Sequence, residues 1–224
     1  MPALFQDRGD AGRALAATLL TQSTITDEPV VLALPRGGVP VAFEVAARFR
    51  APLDVCIVEQ LEVPGSSGAV MGAVASERVL VLSRSVIDEF QVPEKQIVRV
   101  VKRQMLALDR RERAYRGERA PISVAGRTVI LVDDGLASVA GPLTAIAAIR
   151  ARSPARVVVA MPVASSHSYC TLRGLVDDLV CLEMPSPFER VQSCYGEYPE
   201  VSDLDVRRLH ARAAERARHW SFPH

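Results

Sequence analysis

The sequence predicts an α/β protein, with a parallel sheet of about five strands flanked by helices. Short apolar runs recur along the chain, and most lack the alternation of a strand with one wet face, so they read as strands covered on both sides. Helical patterns lie between them, and alternation of strand and helix is what builds parallel sheets. The composition is aliphatic: 49% of the 224 residues are hydrophobic but only 5% aromatic, which suits such a sheet and argues against disorder.

In chain order, Asp10 is placed to cap an opening helix with Leu15, Leu19 and Leu20 on its inner face. Pro29–Leu34 is a continuous apolar strand, Pro35-Arg36-Gly37-Gly38 a turn, Val39–Phe49 a helix and Leu53–Val58 the next strand. Strand, helix and strand in succession form a right-handed parallel unit. Pro64–Gly68 is loop by composition, and Met71–Ala75 with Arg78–Leu82 suggest a hairpin around Ser76-Glu77. Pro93 starts a long helix, Glu94–Arg116, with Ile97, Val98, Val101, Met105 and Leu108 on one stripe. Val129–Val132, Arg156–Met161 and Asp178–Leu182 supply three more strands. Helical segments open at Pro142 and near Ser165, and a last basic helix, capped by Ser202 or Asp203, ends near His219.

A net charge of +1 gives no general case for a nucleic-acid or acidic-membrane partner. Asp7, Arg8, Asp10 and Arg13 interrupt the N-terminal stretch, so it does not read as a secretory signal, and no apolar run approaches the ~20 residues that span a bilayer. Cys56, Cys170, Cys181 and Cys194 are scattered without a CxxC pair, as in a reduced cytoplasmic protein. No internal repeat or long linker divides residues 1–224, and the expectation is one domain.

The chemistry concentrates at Val129–Leu143, where a strand runs into Asp133 and Asp134, then a loop of small residues, then a helix. Ligand groups so placed sit at the carboxyl end of a strand, where open α/β sheets bind ligands. Adjacent carboxylates can accept hydrogen bonds from two neighbouring sugar hydroxyls, while loop amides and a helix N-terminus can hold a phosphate. The combination points to a sugar phosphate. In the earlier turn, Gly37 and Gly38 let backbone amides approach an anion and Arg36 can fork onto phosphate oxygens; a plain strand-to-helix turn with a surface arginine is the simpler alternative. The turn lacks GxGxxG spacing, which speaks against dinucleotide binding.

The stretch VDDGLASVAG resembles the ribose-phosphate loop of type I phosphoribosyltransferases. PRGGVPVA at Pro35–Ala42, the VPG…MGA segment at Val63–Ala73 and RRExxYR at Arg110–Arg116 resemble a bacterial phosphoribosyltransferase-like branch, over nearly the whole chain. The resemblance implies a flap, a small C-terminal hood near Pro187–Tyr195, and a homodimer. It implies transfer of a 5-phosphoribosyl group from phosphoribosyl diphosphate to a nitrogenous acceptor, or binding of a nucleotide monophosphate. Asp133 and Asp134 would then hold the ribose hydroxyls and Mg²⁺. Pro35, Arg36, Gly37 and Gly38 would hold diphosphate, and Ala137, Ser138, Val139, Ala140 and Gly141 the 5-phosphate.

Several positions depart from that pattern. Glu59-Gln60 stands where an Arg-Lys pair is usual, and a reversed unit charge at ~4 Å with an effective dielectric of about 20 swings the interaction by several kcal/mol. Val139 replaces a glycine and resists positive φ, and Gly141 replaces a hydroxyl donor. A catalytically inactive relative, acting as a nucleotide-binding regulator or a dimer scaffold, is therefore the rival reading. The basic residues of Glu94–Arg116 read most simply as a solvated face laced with Asp109 and Glu112. Nucleic-acid contact is a second option, and reach of Arg110, Arg111 or Tyr115 to the site or a subunit partner a third. His167 reads as a surface or capping residue.

Overall fold

A computed structural model describes residues 3–22, 25, 28–66 and 68–220, and Ser67 of the expected Pro64–Gly68 loop lies outside them. Helix α1 spans Arg8–Gln22, β1 Val30–Ala33, α2 Gly38–Phe49 and β2 Leu53–Val55. Then come β3 (Val58–Glu62), β4 (Val70–Ala75), β5 (Val79–Leu82), a short α3 (Arg84–Glu89) and the long α4 (Glu94–Arg116). The second half runs β6 (Thr128–Val132), α5 (Ala140–Arg150), β7 (Arg156–Val163), α6 (Ser166–Arg173), β8 (Asp178–Glu183) and α7 (Asp203–Trp220).

Five strands form a wholly parallel sheet in the order β2-β1-β6-β7-β8. The period of two along each strand divides the core. Val31, Ala33, Ile130, Val132, Val158 and Ala160 face the layer of α1, α2, α4 and α7. Val30, Leu32, Val129, Leu131, Val157 and Val159 face α5 and α6. The continuous apolar runs thus do mark strands buried on both faces. From β1 the chain moves outward to β2, but from β6 it moves the other way to β7 and β8. The order therefore reverses between β1 and β6, which is where open sheets bind ligands.

Three expected elements differ in extent. The run Leu53–Val58 breaks after Val55, and Val58 instead opens β3 in a second, antiparallel sheet, β3-β4-β5. The anticipated hairpin is present there, its strands joined by a 3₁₀ turn at Ser76–Arg78. Strand β7 continues through Pro162 to Val163, because its ladder with β6 ends at Val132↔Ala160 and so needs no N–H from the proline. Helix α5 begins at Ala140, before Pro142.

Single residues also shift. Leu15 and Leu19 are buried in α1 but Leu20 is exposed, being turned about 100° from Leu19. Asp7 caps α1, its Oδ1 accepting from the Asp10 amide at 2.7 Å, and Asp10 Oδ2 accepts the Gln6 amide at 3.2 Å. In α4, Val98 is exposed and Val100 takes its place in the core. Ser202 does cap α7: its Oγ accepts from the Asp205 amide at 3.2 Å, and Asp205 Oδ2 accepts the Ser202 amide at 3.0 Å.

A buried charge network ties α4 and α7 to β2. Arg116 Nε donates to Asp54 Oδ1 at 2.8 Å, Nη1 to Glu112 at 2.8 Å and Nη2 to the Val55 carbonyl at 2.8 Å. The Ile122 amide donates to Asp54 Oδ2 at 3.0 Å. Arg119 Nη2 lies 2.9 Å from His210 Nδ1, which must accept from a guanidinium, so Nε2 carries the proton towards Asp54 at 3.2 Å. Burial works against ionisation of Asp54, yet His210 and Arg116 hold its carboxyl down at about 2. Arg116 is therefore a core residue, whereas Lys95, Arg99, Lys102, Arg103, Arg110 and Arg113 are exposed as a solvated face would be.

Removing one partner leaves an uncompensated buried charge, so Arg116→Ala lowers unfolding stability in urea by about 3–5 kcal/mol. Because the carboxyl of Asp54 is depressed on folding, its contribution is complete above about pH 4 and is lost as pH falls towards 2. Acid denaturation of Asp54→Asn has a correspondingly flatter pH dependence over that interval.

Candidate functional site

The reversal of strand order sets two loops side by side: residues 34–37 after β1, and residues 133–136 after β6. Val132 and Leu34 link them, the Leu34 amide donating to the Val132 carbonyl at 2.9 Å. The turn of Pro35–Gly38 carries a cis peptide between Pro35 and Arg36. Its glycines are required by proximity: a Cβ on Gly37 would lie 2.2 Å from Asp134 Oδ2, and one on Gly38 would lie 2.7 Å from the Val132 carbonyl. Both have little room for even a methyl group. The early turn is thus shaped against the acid pair from the other half of the chain.

Asp134 is buried and richly bonded. Its Oδ2 accepts from Arg8 Nε at 2.7 Å and from the Tyr198 hydroxyl at 2.8 Å, while its backbone carbonyl accepts from the Tyr195 hydroxyl at 2.5 Å. The Asp134 amide donates to Asp133 Oδ1 at 2.9 Å. Burial works against the charge of Arg8, but the bond to Asp134 keeps it firmly protonated. Burial and then the Asp134 charge raise the Tyr198 hydroxyl to about 12, so it remains a donor. Burial first, and the neighbouring Asp134 charge second, push the Asp133 carboxyl well above the ordinary range.

The cover of the site comes from both ends of the chain. Phe5 and Tyr195 form a parallel bridge, the Gly196 amide donates to the Phe5 carbonyl at 2.8 Å, and the Glu197 amide to the Gln6 carbonyl at 2.8 Å. Arg8 Nη1 donates to the Pro199 carbonyl at 2.7 Å, and its guanidinium stands 3.6 Å above the Tyr198 ring. Beside this cover Arg36 Nη2 pairs with Glu200 at 2.8 Å, and Asp203 lies 4.0 Å from Arg36 Nη1.

Of the residues expected from the sequence, Pro35, Arg36, Gly37, Asp133 and Asp134 line one cleft of about 520 Å³. Gly38 lies beneath, buried. Ala137, Ser138, Val139, Ala140 and Gly141 do not line that cleft; they form the outer part of the loop and the first turn of α5. Val139 has φ −88° and ψ −13°, so the positive φ that a valine resists is not demanded, and no side chain caps α5. Its free N–H groups remain available to an anion.

Glu59 is neither at the end of a parallel strand nor free in solvent. It lies in β3, 9% exposed, with Oε1 2.9 Å from Arg111 Nη1, close enough for an ion pair though not aligned as a hydrogen bond. Burial raises its carboxyl and Arg111 opposes the shift. The acidic position therefore carries its own cation. Tyr115 of the same helix donates to Asp203 at 2.9 Å, beside Arg36, so the end of α4 does reach the rim of the cleft.

Sequence reading missed Arg8, Gln192, Tyr198, Glu200 and Val201 as cleft residues. Arg8 and Asp134 are 126 positions apart, and a single arginine at the start of a helix carries no local signal. As folded, the pair offers a divalent ion no place at Asp134 Oδ2, which already accepts two donors and abuts Gly37.

The chain has relatives among known proteins. The family described as Phosphoribosyl transferase domain matches residues 5–195. Proteins of two Mycobacterium tuberculosis strains, CDC 1551 / Oshkosh and H37Rv, each named "Putative phosphoribosyl transferase", are 39% identical over 203 residues. These cover 91% of this chain but 45% of the relatives, so the chain spans about half their length. A crystal structure of TT1426 from Thermus thermophilus superposes with a TM-score of 0.82 at 37% identity, over 93% of this chain and 98% of that one.

Three substitutions test the geometry of the site. Gly37→Ala lowers Tm sharply because its methyl meets Asp134, whereas Gly141→Ala, with open space around it, is neutral or stabilising by up to about 1 kcal/mol. Asp133→Asn raises Tm in the absence of ligand. The fold favours the protonated carboxyl, the unfolded chain is ionised at neutral pH, and the amide removes that difference.

Proposed function

The chain belongs to the phosphoribosyl transferase domain family, and from that premise we propose that it transfers a 5-phosphoribosyl group from phosphoribosyl diphosphate to a nitrogenous acceptor. The observation that carries this reading is the seating of the Pro35–Gly38 turn against Asp133 and Asp134 in one cleft, where strand order reverses. A glycine turn with a forked cation and a pair of carboxylates answers the two ends of a pentose diphosphate. We assign the ribose hydroxyls to Asp133 and Asp134, the diphosphate to Arg36, Gly37 and Gly38, and the 5-phosphate to Ala137–Gly141 with the start of α5.

In the proposed reaction the bond from the anomeric carbon to diphosphate oxygen breaks, and diphosphate leaves with the electron pair. A new bond forms to the acceptor nitrogen, which gives up its proton. Positive charge developing on the ribose ring is offset by the nearby carboxylates. Glu200 holds Arg36 in the absence of ligand, so an incoming diphosphate takes over that guanidinium. Magnesium, on this reading, accompanies the substrate's diphosphate. A cytoplasmic location, a single domain and a homodimer belong to the same proposal; among the described residues no helix is long and apolar enough to cross a membrane.

The proposal predicts that Arg36→Ala weakens phosphoribosyl diphosphate binding by about 10–100-fold, the worth of a charge-assisted contact, while ribose 5-phosphate binding changes little. Phosphorus NMR with a panel of nitrogenous bases detects release of diphosphate for at least one of them. Because the diol needs ionised Asp133 as acceptor, affinity rises with pH above the ordinary carboxylate range, as the raised carboxyl loses its proton. Equal affinity of Arg36→Ala and wild type for the diphosphate, or no release with any base, contradicts the proposal.

A further inference from the structure

We propose that Arg8 is the resident cation of the acid pair, so that the pair binds a vicinal diol without a divalent ion bridging its carboxylates. The inference rests on the reading of Asp133 and Asp134 as the pentose site. It concerns a residue of the first helix that the motifs of the site do not include.

The geometry at Asp134 carries it. The Arg8 side chain is 8% exposed, and its Nε sits 2.7 Å from Oδ2. The Tyr198 hydroxyl donates to the same oxygen at 2.8 Å. A carboxylate oxygen has two lone-pair sites, so Oδ2 is saturated. Its remaining side is closed by Gly37, where even an added methyl group would lie 2.2 Å away. A magnesium ion needs near-octahedral oxygen ligands at about 2.0–2.1 Å and keeps several waters, and there is no room for that shell at Oδ2. Asp134 Oδ1 and Asp133 remain for the diol.

The guanidinium is also fixed from its other sides. Nη1 donates to the Pro199 carbonyl at 2.7 Å, and the plane lies 3.6 Å over the Tyr198 ring. A surface ion pair would be mobile and screened; this one is buried, clamped at three points and aimed at the site. One positive charge so placed neutralises Asp134, with no metal to acquire.

The test uses the full chain, ribose 5-phosphate as the diol probe and Mn²⁺ as a paramagnetic stand-in for Mg²⁺. In wild type, ribose 5-phosphate affinity by calorimetry changes less than about twofold between EDTA and Mg²⁺, and titration followed by electron paramagnetic resonance finds no Mn²⁺ site that Asp134→Asn removes. Arg8→Gln loses about tenfold or more in EDTA, gains an Mn²⁺ site that the added Asp134→Asn abolishes, and recovers affinity when the metal is supplied. Arg8→Lys, which keeps the charge, stays independent of metal. An Asp134-dependent Mn²⁺ site in wild type, or Arg8→Gln binding as tightly as wild type in EDTA, overturns the proposal. If wild type binds no ribose 5-phosphate, the pentose reading fails, while the Mn²⁺ titrations of wild type and Asp134→Asn still decide the role of Arg8.

Discussion

The bonds made to Asp134 are the constraint on which the site depends. Its carboxylate takes Arg8 from the first helix and Tyr198 from the C-terminal hood, and its carbonyl takes the Tyr195 hydroxyl. The glycine turn after β1 packs against the same side chain. Distant segments of the chain thus converge on one residue at the end of β6. Burying a carboxylate is costly unless it is paired and hydrogen-bonded, and the first helix and the hood are held in place by supplying that pairing. The N-terminal segment and the hood are further laced together through Phe5, Gln6 and Cys194–Glu197. Cover and acid pair are therefore one assembly.

A second layer of charge surrounds it. Arg36 rests on Glu200 near Asp203, Asp203 accepts from Tyr115, and one turn earlier on α4 Arg111 faces Glu59. The segment Arg110–Arg116 thereby acquires a physical meaning position by position. Arg111 neutralises an acid in the antiparallel sheet, Tyr115 reaches the rim of the cleft, and Arg116, itself held by Glu112, clamps Asp54 of β2. The acidic Glu59, which by charge alone looks hostile to a polyanion, is matched by a cation from another element. Its effect on the cleft is that of a pair, weaker and shorter in range than a lone charge.

Much of the fold was legible because its signals are local. Continuous apolar runs such as Val30–Ala33 and Val129–Val132 announce strands covered on both faces, and they are so covered. Pro93 and the stripe ending at Leu108 locate α4 to the residue. Boundaries failed where tertiary context decides. Nothing between Leu53 and Val58 says that the chain leaves one sheet and enters another, and the missing amide of Pro162 ends a strand only if a neighbour needs it. At the site, the acid pair and the glycine turn were readable as motifs, and the structure brings them together. Arg8 was not readable, since its partner lies 126 positions away and no periodicity links them. The charge of Glu59 was visible but Arg111, on another element, was not visible as its partner.

The central claim is that the acid pair and the turn seated on it form a phosphoribosyl site. Calorimetric titration with phosphoribosyl diphosphate and Mg²⁺, on wild type and on the Asp133→Asn/Asp134→Asn variant, tests it most directly. A phosphoribosyl site predicts binding in the micromolar range, about −8 kcal/mol, that the double substitution abolishes while the protein remains folded. No binding by wild type, or equal binding by the variant, would contradict it.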